Sequence, residues 1–169
     1  MSGFDVNYGM GQIILDRAAL TPKNTALIFC GEKTDFESFA TRIRRVASLL
    51  REKGICRGDR VGLIAQNHPS FLEILYACSC LGAIFVPLNF RLSAPEVAFI
   101  VKDAGAKLIF ADDACLPLIE EERANVSCSE FIATQTAHNG WQSYETLVAD
   151  ATPLSDVEHM QADDIALIM

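Results

Sequence analysis

Thiols, histidines, paired carboxylates and a cluster of arginines are the residues in this chain whose chemistry could be put to use. The six cysteines are Cys30, Cys56, Cys78, Cys80, Cys115 and Cys128. Cys78 and Cys80 sit two apart in a stretch with helical spacing, so their thiols point to different sides and a shared metal is not expected. His68, His138 and His159 are far apart, with no cysteine or carboxylate neighbours at ligand spacing. The pairs Asp112-Asp113 and Asp163-Asp164 fall at strand boundaries, where solvated turn residues are expected rather than general acid–base groups. Arg42, Arg44, Arg45, Arg51 and Lys53 could gather an anion, but their spacing is that of the solvated face of an amphipathic helix. Gly9-Met10-Gly11 is no dinucleotide fingerprint, since no strand precedes it and no third glycine follows at the right spacing. There is no Walker-type loop and no Gly-x-Ser-x-Gly elbow. Read on their own, these residues support part of an α/β domain, and none is assigned a catalytic or metal-binding role.

Bulk properties narrow the partners. The net charge is −8, which leaves no basic surplus to displace counterions from nucleic acid or to hold the chain on anionic lipid. Half of the residues are hydrophobic and the mean hydropathy is +0.22, so 169 residues suffice for one core. Most of the cysteines lie in apolar segments, where a thiol acts as a small buried hydrophobe. The N-terminus, MSGFDVNYGMGQ, has neither a basic nor an apolar leader region. A reducing, cytoplasmic setting is expected. Residues 74–90 carry no charge but contain Gly82 and Pro87 and are short for a membrane span; no transmembrane segment is expected.

The elements that must position these residues centre on RVGLIAQNHPSFLEILYACSCLGAIFVPLNFR, residues 60–91. Val61–Ala65 is a strand-length apolar run, stopped by Asn67-His68-Pro69. Pro69 suits the first position of a helix, and His68 its start. Apolar positions then recur nearly all round to Leu81, and Gly82 ends the helix. Ile84–Val86 is a second strand, closed by Pro87. Glu73 is the one formally charged side chain from His68 to Phe90. Such a unit must be buried on most sides, as a central βαβ of a parallel sheet is.

Around it, Met10–Leu20 predicts a helix with Met10, Ile13, Ile14 and Ala18 on one side. Ala26–Phe29 and a return strand near Thr34 predict a hairpin. Asp35 is an N-cap for an amphipathic helix whose apolar face runs from Phe36 to Leu50, ended by Gly54. Ser93-Ala94-Pro95-Glu96 is a capping box opening a helix that Gly105 ends. A strand follows at Lys107–Ala111, a helix at Cys115–Arg123, a strand at Cys128–Ala133, a loop at Thr134–Gly140 and a short helix at Ser143–Val148. Ala149–Gln161 reads as a polar connection. Strands alternating with helices give an α/β fold with helices on both faces of the sheet. Ile165–Met169 has the pattern of a buried strand, and the chain stops inside it, which suggests a chain cut short.

The ordered tags Lys53-Gly54-Ile55, Gly58-Asp59-Arg60-Val61, Asn67-His68-Pro69-Ser70-Phe71, Leu81-Gly82-Ala83 and Val86 to Leu92 resemble the N-terminal region of adenylate-forming (AMP-binding) enzymes. Within these they are similar to acyl-CoA synthetases of the fatty-acid–CoA ligase type. Ser93 to Val97 continues the match, which is good over residues 10–113 and looser beyond. The resemblance implies that residues 1–169 are the N-terminal portion of the large αβαβα domain, truncated before its phosphate loop, with the mobile C-terminal domain and its catalytic lysine also absent. It implies a ligase that uses ATP, Mg²⁺ and CoA to turn a carboxylic, fatty acid into an acyl-adenylate and then a thioester. The fragment itself is expected to be inactive and to bind none of these productively. Arg91, in the Asn-x-Arg-Leu segment, resembles an arginine that touches the CoA phosphates in some members. An ordinary surface arginine, or one paired with Glu96, is the other reading of that position. A binding or assembly module pairing with a complementary C-terminal chain is an alternative function, as is a fragment of an amino-acid- or aryl-acid-activating relative or of a luciferase-like oxygenase.

Overall fold

The structure, a computed structural model, describes residues 9–169. The leader region considered above therefore lies largely outside the described residues. In chain order the elements are α1 (Met10–Leu20), β1 (Thr25–Phe29), β2 (Glu32–Asp35), α2 (Phe36–Glu52), β3 (Arg60–Ile64), α3 (Pro69–Cys80), β4 (Ile84–Leu88), α4 (Ala94–Ala104), β5 (Ala106–Ala111), α5 (Leu116–Glu121), β6 (Glu130–Ala133), β7 (Gln142–Ser143) and α6 (Tyr144–Asp150). β1 and β2 form an antiparallel hairpin, and the other five strands form a parallel sheet in the order β4-β3-β5-β6-β7. The α/β class expected from the alternating pattern is the observed one.

The pleat sorts side chains between two cores. Val61, Leu63, Phe85, Leu108, Phe110 and Ile132 meet α1, α2, α3 and α6 on one face. Their chain neighbours Ile64, Val86, Ile109, Phe131 and Ala133 meet α4 and α5 on the other. This period-two division, with both faces apolar, is what a sheet covered on both sides requires.

The local signals act as their chemistry dictates. The Asp35 carboxylate accepts from the Ser38 N–H at 2.8 Å to open α2. Ser93 and Glu96 close the capping box of α4. Gly105 ends α4 in the left-handed region, at φ 63°, where a side chain is strained.

Some expectations are corrected. Ile14 and Ala18 pack against the core as expected, but the fully buried residues of α1 are Gly11 and Leu15, and Ile13 is 63% exposed. α1 lies so close to α3 that a Cβ on Gly11 would stand 2.6 Å from Cys80 Sγ, so the absence of a side chain there permits the close approach. Pro87 lies within β4 and does not end it. The proline, which has no N–H to give, is tolerated on a strand whose outer side is met by a single bridge. The helix expected to reach Arg123 stops at Glu121 and is followed by a 3₁₀ turn at Arg123–Asn125. Gln142–Ser143 adds a short strand before α6. Ile165–Met169 is not buried: Leu167 makes one parallel bridge to Phe85, and Ile165 is 58% exposed.

Candidate functional site

In a parallel sheet, ligands bind outside the carboxyl ends of neighbouring strands whose connections leave on opposite faces. β3 and β5 are such neighbours. The connection from β3 runs into α3 on one face, and that from β5 into α5 on the other. At their carboxyl ends stand Gln66, Asn67 and His68 on one side and Asp112 and Asp113 on the other, with the loop after β6 next to Asp113.

Asp112 joins the ends of β3 and β5. It is 2% exposed, accepts from the Gln66 N–H at 2.7 Å through Oδ2, and accepts from the Cys115 N–H at 2.8 Å through Oδ1. One carboxylate thus ties together the two loops that part on either side of the sheet. The expectation of a solvated turn residue is corrected here, because two backbone donors replace the water that a buried carboxylate must otherwise keep.

Asp113 is part-exposed and reaches across to the loop after β6. Its carboxylate accepts from Thr136 Oγ1 at 2.7 Å and from the Thr136 N–H at 3.1 Å, and it lies 3.2 Å from His138 Nε2. The hydrogen bond from Thr136 foremost, against a smaller effect of burial and with help from His138, holds its pKa below the ordinary carboxylate range. The sequence separation of 25 residues hid this contact; only the adjacency of β5 and β6 brings the two loops together.

His68 caps α3 as expected. Its Nδ1 accepts from the Ser70 N–H at 3.2 Å, and its ring stands edge-on to Phe29 at 5.1 Å between centroids. Next to it, a cavity of about 370 Å³ separates Ile28 and Phe29 of the hairpin from Pro69, Phe71 and Leu72 of α3.

Arg91 lies three residues past the end of β4, on an exposed turn. Its N–H donates to Asn89 Oδ1 at 3.0 Å, and its guanidinium stands 5.6 Å from the centre of the Phe90 ring. Glu96 is occupied by Ser93, so the local pairing with Arg91 is not formed. Arg91 follows the edge strand β4 at the sheet's carboxyl end.

The arginine face of α2 differs from its expected solvated state. Arg42 donates through Nε and Nη2 to the two oxygens of Glu73, at 2.6 and 3.0 Å, and also reaches Glu145. Glu73 is 3% exposed and also accepts from Tyr144 Oη at 2.6 Å. Burial works against the charge of Arg42, but its hydrogen bonds to Glu73 and Glu145 outweigh it and push its pKa up. Arg44 and Arg45 donate to the carbonyls of Leu154 and Ala149. The cations therefore seat α6 and the connection after it.

Cys78, Cys80, Cys115 and Cys128 are buried, and Cys30 and Cys56 are exposed. Burial pushes the Cys80 thiol up to about 12 and the Cys128 thiol up to about 11, which makes them poor nucleophiles. Among the described residues, no group of three histidines, cysteines or carboxylates is placed to hold a metal ion, and no helix is long and apolar enough to cross a membrane.

A parallel sheet covered on both faces by helices defines an α/β domain. The AMP-binding enzyme family model matches residues 14–169, and the chain belongs to that family. It is 41% identical over 103 residues to a feruloyl-CoA synthase of an Amycolatopsis species, covering 61% of this chain and 21% of that protein. It is 32% identical over 143 residues to an indoleacetate–CoA ligase of Aromatoleum aromaticum, covering 82% of this chain and 28% of that protein. A fatty acyl CoA synthetase of Mycobacterium tuberculosis superposes with a TM-score of 0.86 at 28% identity, over 95% of this chain and 32% of the other. The chain thus spans between a fifth and a third of the length of these proteins.

Proposed function

We propose that this chain is the N-terminal portion of a cytoplasmic, ATP-dependent acid–thiol ligase. The whole enzyme joins a carboxylic acid to CoA by way of an acyl-adenylate, using ATP and Mg²⁺. The observation that carries this reading is the family match over residues 14–169, supported by relatives named as CoA synthases, synthetases or ligases. Those relatives are named for aromatic and for fatty acids, and the substrate class is a carboxylic acid. A fatty acid remains our reading.

The chain's own part in this reaction is architectural. Asp112 holds together the loops after β3 and β5, and the two helical layers keep the sheet rigid behind them, which fixes groups brought by the rest of the enzyme. Arg91, exposed and free of carboxylate partners among the described residues, is available to a phosphate of CoA. Alone, the chain is catalytically silent.

ATP–pyrophosphate exchange tests this with a panel of fatty and aromatic acids. The 169-residue chain should give no exchange. A chimera that joins it to the C-terminal part of the feruloyl-CoA synthase should exchange with at least one acid. Exchange by the chain alone would overturn the silent role, and an inert but folded chimera would overturn the ligase reading.

A further inference from the structure

The arginines of α2 line up with the segment that follows α6. Residues 151–164 form no helix or strand, and they carry Asp156, Glu158, Asp163 and Asp164 but no lysine or arginine. Arg44 Nη1 donates to the Leu154 carbonyl at 3.3 Å, and Arg51 Nη2 stands 4.0 Å from Glu158 Oε1. Arg57, just beyond the helix, donates to the His159 carbonyl at 3.0 Å and pairs with Asp164. Arg44 and Arg51 are seven residues apart, which puts both on one side of α2.

The spacings on the two sides agree. From Arg44 to Arg51 the helix rises about 10 Å, and the four residues from Leu154 to Glu158 span at most about 14 Å when extended. Partner numbers increase together, so the segment runs alongside α2 in the same direction. Two backbone bonds fix that register. Leu154 N–H donates to the Arg44 carbonyl at 3.0 Å, and Glu158 N–H donates to the Cys80 carbonyl at 2.8 Å, one of those that α3 leaves open at its end. Leu154 and Met160 are buried pegs, and a Cβ on Gly82 would stand 3.2 Å from the Met160 sulfur. A slip of one residue would turn the pegs outward and misplace every arginine partner, so these contacts form and break together.

We propose that residues 151–164 are a strap that leaves and rejoins α2 as one unit while the sheet stays folded. α6 is not part of it, since Tyr144 and Val148 are buried in the core. The strap has no ladder of its own, and two of its arginine contacts are partly exposed, so salt weakens its attachment far more than it weakens the sheet. Attachment has a consequence two residues further on. Arg57 grips Asp164 just before Ala166 and Ile168, which share hydrogen bonds with Phe85 of β4. An attached strap delivers these residues to β4, and a detached one lets them go. The device belongs to this chain's own contacts and stands independently of the ligase reading.

Amide hydrogen exchange of the 169-residue chain, read residue by residue by NMR, tests this. The reporters are the N–H groups of Leu154, Glu158 and Ile168, which donate to the carbonyls of Arg44, Cys80 and Phe85. The control is the Thr134 N–H, which donates to the Ala111 carbonyl at the end of β6. Raising NaCl from about 0.05 M to about 0.5 M should speed all three reporters by one common factor of about five and leave Thr134 unchanged. At low salt, Arg57→Gln should speed Leu154 by a similar factor, although the bonds of Leu154 are to Arg44. Asp164→Asn cuts the same pair from the strap side, should act alike, and guards against a misfolded Arg57 variant. Unequal factors at the three reporters, no acceleration in salt, or acceleration of Ile168 alone in both variants would overturn the proposal. Equal acceleration of Thr134 in salt would mean that the whole fold opens, and would overturn it as well.

Discussion

At one end of the sheet, β7 is two residues long, and Ser143 leaves it immediately to cap α6 by accepting from the Thr146 N–H. Gln142 is clasped there between Lys53, which donates to its Oε1 at 2.6 Å, and Glu130, which accepts from its Nε2 at 2.7 Å. At the other end, β4 is five residues long and apolar, and is met by one bridge from a segment whose own outward groups are unpaired. The first edge is too short and too polar to receive another strand; the second has length, apolar side chains and free donors. Polar clamps and a buried ionic contact thus close the sheet where the chain turns back on itself, and exposed apolar surface gathers where it does not. Among the described residues the two edges thus differ in character: polar side chains clasp the one at β7, and apolar side chains stand exposed at the one beyond β4.

The strongest way to break that contrast is to undo the closed side. Glu73 is buried on α3, paired with Arg42 on α2 and bonded to Tyr144 at the start of α6. Glu73→Ala strands the Arg42 charge and leaves the Tyr144 hydroxyl without its acceptor. Removing one partner of a buried pair costs about 3 to 5 kcal/mol, and the low end applies because Arg42 keeps contact with water and with Glu145. Urea unfolding should therefore show a loss of about 3 kcal/mol, with backbone amides of α6 exchanging faster. A loss under about 1 kcal/mol would mean that α6 is held by apolar packing alone and that the closed edge owes nothing to this contact.

A milder perturbation is acid. The hydrogen bond from Lys53 foremost, with help from Gln142 and against burial, holds the Glu130 carboxyl below its ordinary value of 4.5. A depressed carboxylate adds stability that is fully present above its unfolded pKa and is lost as pH falls through the folded one. The clamp at β7 should therefore weaken from about pH 4.5 downward. Since both partners are part-exposed, its worth is about 0.5 kcal/mol. Glu130→Gln should flatten the stability–pH curve in that window by this amount. A curve of unchanged slope in the variant would assign the acid sensitivity to other carboxylates.

The two edges were not equally legible in the sequence. The central βαβ could be read from residues 60–91 because apolar runs, Pro69 and Gly82 act locally, through caps and turns that involve neighbours in the chain. Asp35 and the capping box at Ser93 were readable for the same reason. The Glu73 contact was not: the sequence marks it as a lone charge in an apolar stretch, and its partners stand 31 and 71 residues away. Nothing local distinguishes Arg42 from Arg51, which lies on an exposed part of the same helix. Asp112 was misread as solvated because its two donors are backbone groups, which leave no trace in side-chain type. Arg91 stands out only through the family resemblance, and its geometry adds exposure and a Phe90 ring 5.6 Å from its guanidinium. At the open edge, the apolar pattern of Ile165–Met169 was legible, but its burial was not, since burial depends on what lies on both sides of a strand and not on its own composition.

The smallest expected effect bears most directly on the open edge. Met169 is fully exposed and Ile165 more than half so, and surface substitutions away from special contacts stay within about 0.5 kcal/mol. Met169→Lys and Ile165→Lys should thus leave the urea midpoint of the isolated chain unchanged. They should nevertheless lower its tendency to self-associate at high concentration, because a charge on an edge strand opposes further pairing. Sedimentation over a range of concentrations reads this. If the two lysines destabilise the fold by more than about 1 kcal/mol, beyond the surface range, Ile165–Met169 is packed more like the buried strand that its composition suggests, and the contrast between the two edges shrinks. If stability holds and association falls, the apolar residues at that edge contribute little to this chain's own fold, and the surface they form is free to meet another.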